Sequence, residues 1–210
     1  GSGFLIAMRD LEIRGCGNIL GAEQHGHIAA VGYDTYCQLI AEAVAEAKGE
    51  PVAIRRLPTC DIAIDAYIPE TYVPSEAQRI TLYKRIADAK TTENVDELQS
   101  ELADRFGKPP APVKRLLEIM RARAMGADCG VSRIAAARTA IVLEFPPDRI
   151  PEKAVRTVLL NHLGKAAQFE WENPPRLTVA VTADSPEQVL QHIHRVLRIL
   201  ADTRSKRTSP

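Results

Sequence analysis

Val131-Ser132-Arg133-Ile134-Ala135-Ala136-Ala137, a break at Arg138-Thr139, and Ala140-Ile141-Val142-Leu143-Glu144-Phe145 read as two apolar runs rich in β-branched residues. Such runs, divided by a short polar break, predict a hairpin-like pair of strands over 131–137 and 140–145. Strands joined this tightly are antiparallel, because a parallel neighbour needs a crossover of a dozen residues or more. The second half of the chain therefore does not alternate strand and helix.

Working outward gives the same answer. Downstream, Pro151 to Leu163 reads as a helix, and 167–172 and 177–181 as two further strands with Trp171 turned inward. The closing helix has Ser185 as N-cap, Pro186 at its first position and Gln188 at the capping-box position, with Val189, Ile193, Val196, Leu197 and Leu200 on its inner side. Upstream, Asp61 to Ile68 alternates as a strand closed by Pro69. Three helices follow: one capped by Ser75 with Ile80, Tyr83 and Ile86 on one side, one opened at Thr92 and ended by Gly107, and one carrying Val113, Leu116, Leu117 and Met120. The predicted class is α+β, with several helices packed on a small, mostly antiparallel sheet.

Residues 1–49 have another character. Phe4 to Met8 is apolar, a glycine-rich turn spans 15–21, and Tyr36, Leu39, Ile40, Val44 and Ala47 follow helical spacing up to Gly49. The predicted organisation is a helical hairpin over 1–49, a linker over 50–59, an α+β domain over 60–203 and a flexible tail over 204–210, including Arg204, Lys206 and Arg207. A chain that opens Gly1-Ser2-Gly3 suggests a fragment of something longer.

Charge and cysteine usage exclude several classes. Basic and acidic residues number 27 each, so any contact with nucleic acid must be local. Residues 1–50 hold three basic and seven acidic side chains, whereas 109–210 hold sixteen and ten. Four scattered cysteines, Cys16, Cys37, Cys60 and Cys129, form no C-x-x-C pair and point to a reducing cytoplasm. No apolar run reaches the ~18 residues of a membrane span, so no membrane partner is expected. Gly15-Cys16-Gly17 has Leu20 where a dinucleotide fingerprint needs its third glycine, and no P-loop lysine motif occurs, so a nucleotide-dependent enzyme is disfavoured. His25 and His27 lack a third ligand nearby, and His162, His192 and His194 read as structural or surface residues.

One segment carries a sharper signal. Arg14-Gly15-Cys16-Gly17, Leu20-Gly21 and Glu23-Gln24-His25-Gly26 resemble the TRG motif of bacterial DNA translocases of the Mfd and RecG families. Tyr72-Val73-Pro74, Tyr83-Lys84-Arg85-Ile86-Ala87 and Glu101-Leu102-Ala103-Asp104-Arg105-Phe106-Gly107 then resemble the C-terminal domain of the transcription-repair coupling factor family, a domain RecG lacks. Cys16 and His25 depart from the usual TRG pattern without removing a charge.

The resemblance implies a parent that is an ATP-driven, helicase-like translocase on double-stranded DNA, able to release stalled RNA polymerase. Arg14 and Gln24, with Arg9 as a weaker candidate, would couple hydrolysis to translocation. The C-terminal domain would dock on a UvrB-like module of the same polypeptide and mask its UvrA-binding surface. Glu101, Asp104 and Arg105, which share one helix side at i, i+3 and i+4, would make that interdomain contact; on the residues alone, Glu101 and Arg105 form an exposed pair worth about 0.3–0.5 kcal/mol. No catalytic residue, metal or cofactor is expected in this chain, since ATP and magnesium would belong to motor lobes elsewhere. The implied location is the bacterial cytoplasm, in action at the nucleoid. The alternative is a free-standing interaction module without a motor.

Overall fold

A computed structural model describes residues 57–205. The predicted 1–49 hairpin with Arg9, Arg14, Gln24, His25 and His27, and tail residues 206–210, lie outside the described residues. The ordered elements are β1 (Thr59–Ile62), α1 (Glu76–Asp88), α2 (Thr92–Phe106), α3 (Ala111–Asp128), β2 (Arg133–Ala136), β3 (Ala140–Glu144), α4 (Lys153–Leu163), β4 (Ala167–Glu170), β5 (Arg176–Ala180) and α5 (Pro186–Ser205). This is the expected α+β arrangement.

The sheet runs β1-β2-β3-β5-β4, with β1 parallel to β2 and every other pairing antiparallel. The single parallel pair is the one with three helices inserted between its strands, as a crossover requires. Register fixes the two sides of the sheet. Ile134, Leu143, Leu177 and Phe169 are cross-strand partners that turn toward the helices, while Arg133, Glu144, Arg176 and Glu170 form the adjacent row on the other side. That outer row is laced by ion pairs, Arg133 to Glu144 at 2.8 Å and Arg176 to Glu170.

The helices form one layer in which α3 packs between α2 and α5, and α5 between α3 and α4. As the central member, α3 buries residues on nearly every side, Val113, Leu117, Ala122 and Ala124 among them. Gly126 lies where it passes the sheet, and a Cβ there would stand 3.0 Å from both Ile134 and Pro58. Phe145, Leu102, Leu159, Ile193 and Leu197 are fully enclosed in the shared core. Two arginines are buried with their needs met. Arg79 donates to the Val73 and Pro74 carbonyls, and Arg123 to the Pro58 carbonyl at 3.0 Å.

Local capping follows the sequence closely. The Ser75 and Ser185 hydroxyls accept from Gln78 N–H and Gln188 N–H, and Gln188 reaches back to Asp184 N–H.

Four expectations need correction. The strand expected over 61–68 ends at Ile62. Ile62 and Ile68 are buried with exposed residues between them, so the alternation is real, but it belongs to an extended segment without a ladder partner. Instead, Ile68 N–H donates to the Tyr83 hydroxyl at 2.8 Å. Thr59, placed in the linker, opens β1.

Trp171 is not enclosed: β4 stops at Glu170, and the residue is 63% exposed, its ring leaning on Phe169 and on Arg156 of α4, whose guanidinium is 4.5 Å from the ring centre. Arg204 is not in a tail, since α5 continues to Ser205 and its guanidinium donates to the Cys129 and Arg149 carbonyls.

Candidate interdomain contact face

The side chains singled out on α2 are presented by a helix with firm ends. Thr91 caps its start, accepting from Asn94 N–H at 3.2 Å, and Gly107, at φ 79°, closes it in a conformation that costs glycine little. Val95, Leu98 and Leu102 anchor the inner side. The remaining positions are left to carry charge.

Glu101 sits between two arginines. Arg85 of α1 grips its carboxylate with both terminal nitrogens, at 2.6 and 2.5 Å, and Arg105 adds a contact at 2.8 Å. The Arg85 fork, with help from Arg105, holds the Glu101 pKa down at about 2. Paired forks of this kind fix direction as well as charge. Glu101 is therefore a tie between α1 and α2, and the Glu101–Arg105 pair read from spacing is half of a three-residue cluster.

Asp104, three residues on, is exposed and forms no ion pair or hydrogen bond through its side chain among the described residues. Arg105 lies 5.0 Å from the Phe106 ring centre, and Phe106 packs on Tyr72 at 5.8 Å. The Tyr72 hydroxyl stands 2.9 Å from Leu102 O and 2.8 Å from Gly107 O, sharing its proton between a carbonyl near the end of α2 and that of the glycine that closes it. The helix end is thus pinned under the charges it displays. The structure brings Glu101, Asp104 and Arg105 to one exposed surface and adds Arg85, which no spacing rule links to a residue sixteen positions away.

Behind this surface a second cluster fastens α2 to the rest of the layer. Arg121 of α3 reaches Asp96 at 2.6 Å, Gln99 at 2.8 Å and Glu118 at 2.5 Å. His194 Nε2 lies 3.1 Å from both the Glu118 carbonyl and its carboxylate; two acceptors at one nitrogen require that nitrogen to carry a proton. His194, and to a lesser degree Arg121, lower the Glu118 pKa against the opposing effect of burial. These contacts tie α2 to α3 and α3 to α5.

The sequence model of the TRCF domain family matches residues 62–154, which include α1, α2 and α3. The transcription-repair-coupling factor of Bacillus subtilis is 50% identical over 120 residues, 57% of this chain and 10% of that protein. That of Staphylococcus aureus is 42% identical over 136 residues, 64% of this chain and 12% of that protein. The match thus spans about a tenth of the length of these curated relatives. A crystal structure of the C-terminal domain of a transcription-repair coupling factor shares the fold, at a TM-score of 0.62 and 24% identity, covering 74% of this chain and 99% of its own. Residues 62–154 thus match the TRCF domain, and the chain is similar to the C-terminal region of transcription-repair coupling factors.

Proposed function

We propose that this region serves transcription-coupled DNA repair as the regulatory end of a DNA translocase. In that reading α1 and α2 form a latch that docks on a UvrB-like module of the same polypeptide and hides the surface to which UvrA binds. The observation that carries it is the state of the α2 charges. Glu101 is committed to holding Arg85 and Arg105 in place, while Asp104 stands exposed beside them. A cluster ordered from within and open on one side is suited to meeting a charged partner in one orientation.

The remaining assignments belong to the parent protein. Arg14 and Gln24, with Arg9, couple ATP hydrolysis to movement on double-stranded DNA and to the release of stalled RNA polymerase; ATP and magnesium are held by motor lobes. In a coupling factor bearing this region, Arg14→Ala should keep hydrolysis while losing displacement of a DNA triplex, because alanine removes a guanidinium able to make two directed bonds. Full displacement by that variant would contradict the assignment.

The latch is tested by replacing Glu101 and Asp104 together with alanine in the same parent. Recovery of UvrA in a pull-down and basal ATPase activity should both rise, with circular dichroism unchanged. Unchanged UvrA recovery from an equally folded protein would mean that this surface is only solvated.

A further inference from the structure

We propose that the groove between α4 and α5, at the opposite end of the helical layer, docks an amphipathic helix with an acidic polar side, supplied by a partner protein. Ala154, Val158 and His162, at i, i+4 and i+8, line one wall, and Ile199, Asp202 and Thr203 line the other; together they bound about 380 Å³. Val158 is 41% exposed, an apolar side chain left facing the groove. Apolar surface of this kind lowers its free energy when covered by apolar side chains.

The charges at the rim say which kind of helix. Arg195 lies one turn before Ile199, and Arg198 one turn before Asp202, so each shares a side of α5 with a groove-lining residue. Both arginines are exposed and, among the described residues, make no ion pair or hydrogen bond through their side chains; exposed Lys153 at the start of α4 is in the same state. Elsewhere in the domain Arg85, Arg105, Arg115, Arg121, Arg133 and Arg176 are all in ion pairs. The α5 pair contributes no such contact to the fold.

A duplex would use the arginines but not Val158 or Ile199, leaving the apolar wall uncovered. An apolar helix without acids would leave the arginines unmatched. An acidic amphipathic helix satisfies both features, placing apolar anchors on the floor and carboxylates against Arg195 and Arg198. The stretch of α4 from Ala154 to Ala154's second successor on that side, His162, advances about 12 Å, which accommodates two turns of the partner. This docking is independent of the latch on α1 and α2.

The test uses the whole 210-residue chain and a fluorescein-labelled synthetic helix with leucine at i, i+3, i+4 and i+7 and glutamate at its polar positions. Its lysine counterpart and a labelled DNA duplex serve as competing probes. Fluorescence anisotropy should show saturable binding of the glutamate peptide only. Arg195→Glu with Arg198→Glu should weaken it at least about tenfold, as should Val158→Glu, with circular dichroism unchanged, whereas Asp104→Asn at the other end should leave the isotherm alone. The proposal is overturned by equal binding of both peptides, by preference for the duplex, by no binding at millimolar peptide, or by an isotherm insensitive to the arginine and Val158 variants.

Discussion

The two ends of the helical layer treat charge in opposite ways. Around α1 and α2 the arginines are spent internally: Arg85 and Arg105 converge on Glu101, and Arg121 gathers Asp96, Gln99 and Glu118. Around α4 and α5 an apolar groove is flanked by Arg195 and Arg198 without partners among the described residues. Internal pairing fixes the shape of a surface, whereas unpaired charge leaves the pairing to whatever docks. In the proposed reading, one domain presents a preformed latch at one end and a charge-selective groove at the other, joined by α3 and α5.

The joining core can be probed first, because it should give the largest effect. Leu102 and Leu159, one under each end, are both fully buried, and changing either to alanine should cost roughly 2–5 kcal/mol by lost burial plus the cavity left behind. Thermal unfolding followed by circular dichroism should remain a single transition shifted downward in both cases. Two separate transitions would show that the ends are independent units and would undo the comparison.

Acid titration sharpens it next. Folding depresses the Glu101 pKa to about 2, so its stabilising contribution is fully present above the ordinary carboxylate range and is lost as pH falls through the folded value. Stability should therefore decline between about pH 4.5 and 2, and Glu101→Gln should flatten part of that decline. Because Arg85 and Arg105 are more than 40% exposed, the variant should cost only about 0.5–1 kcal/mol at neutral pH. An unchanged acid profile would mean that the Arg85 fork does not order the α1–α2 surface.

The smallest effect belongs to the groove. Arg195→Glu with Arg198→Glu should change stability by no more than about 0.5 kcal/mol, since neither side chain has a partner among the described residues. A loss comparable with that from Glu101→Gln, read from the urea midpoint, would place these arginines in the fold rather than on a docking surface.

Much of the architecture was legible because its signals are local. Ser75 and Ser185 announce two helix starts, Gly107 a helix end, and the runs around Arg138-Thr139 a strand pair. Glu101, Asp104 and Arg105 could be placed on one helix side by spacing alone. What escaped depends on partners far apart in sequence. Arg85 meets Glu101 across two helices and His194 meets Glu118 across 76 residues, neither of which periodicity reports. Alternation misled at Ile62 to Ile68 and at Trp171 because it records which way a residue turns, not whether a neighbouring strand is present or the side chain is enclosed. Likewise, the basic end of α5 resembled a solvated tail until Arg204 was seen to satisfy the Cys129 carbonyl.

The division of labour on α2 is open to a direct comparison of single variants in a coupling factor that carries this region and its UvrB-like module. UvrA pull-down and thermal unfolding are measured side by side for Asp104→Asn and Glu101→Gln. If Asp104 faces the partner while Glu101 ties α1 to α2, Asp104→Asn should raise UvrA recovery with an unchanged midpoint, and Glu101→Gln should raise it only together with a lowered midpoint. Wild-type UvrA recovery from Asp104→Asn would contradict the account, as would a lowered midpoint for Asp104→Asn with none for Glu101→Gln.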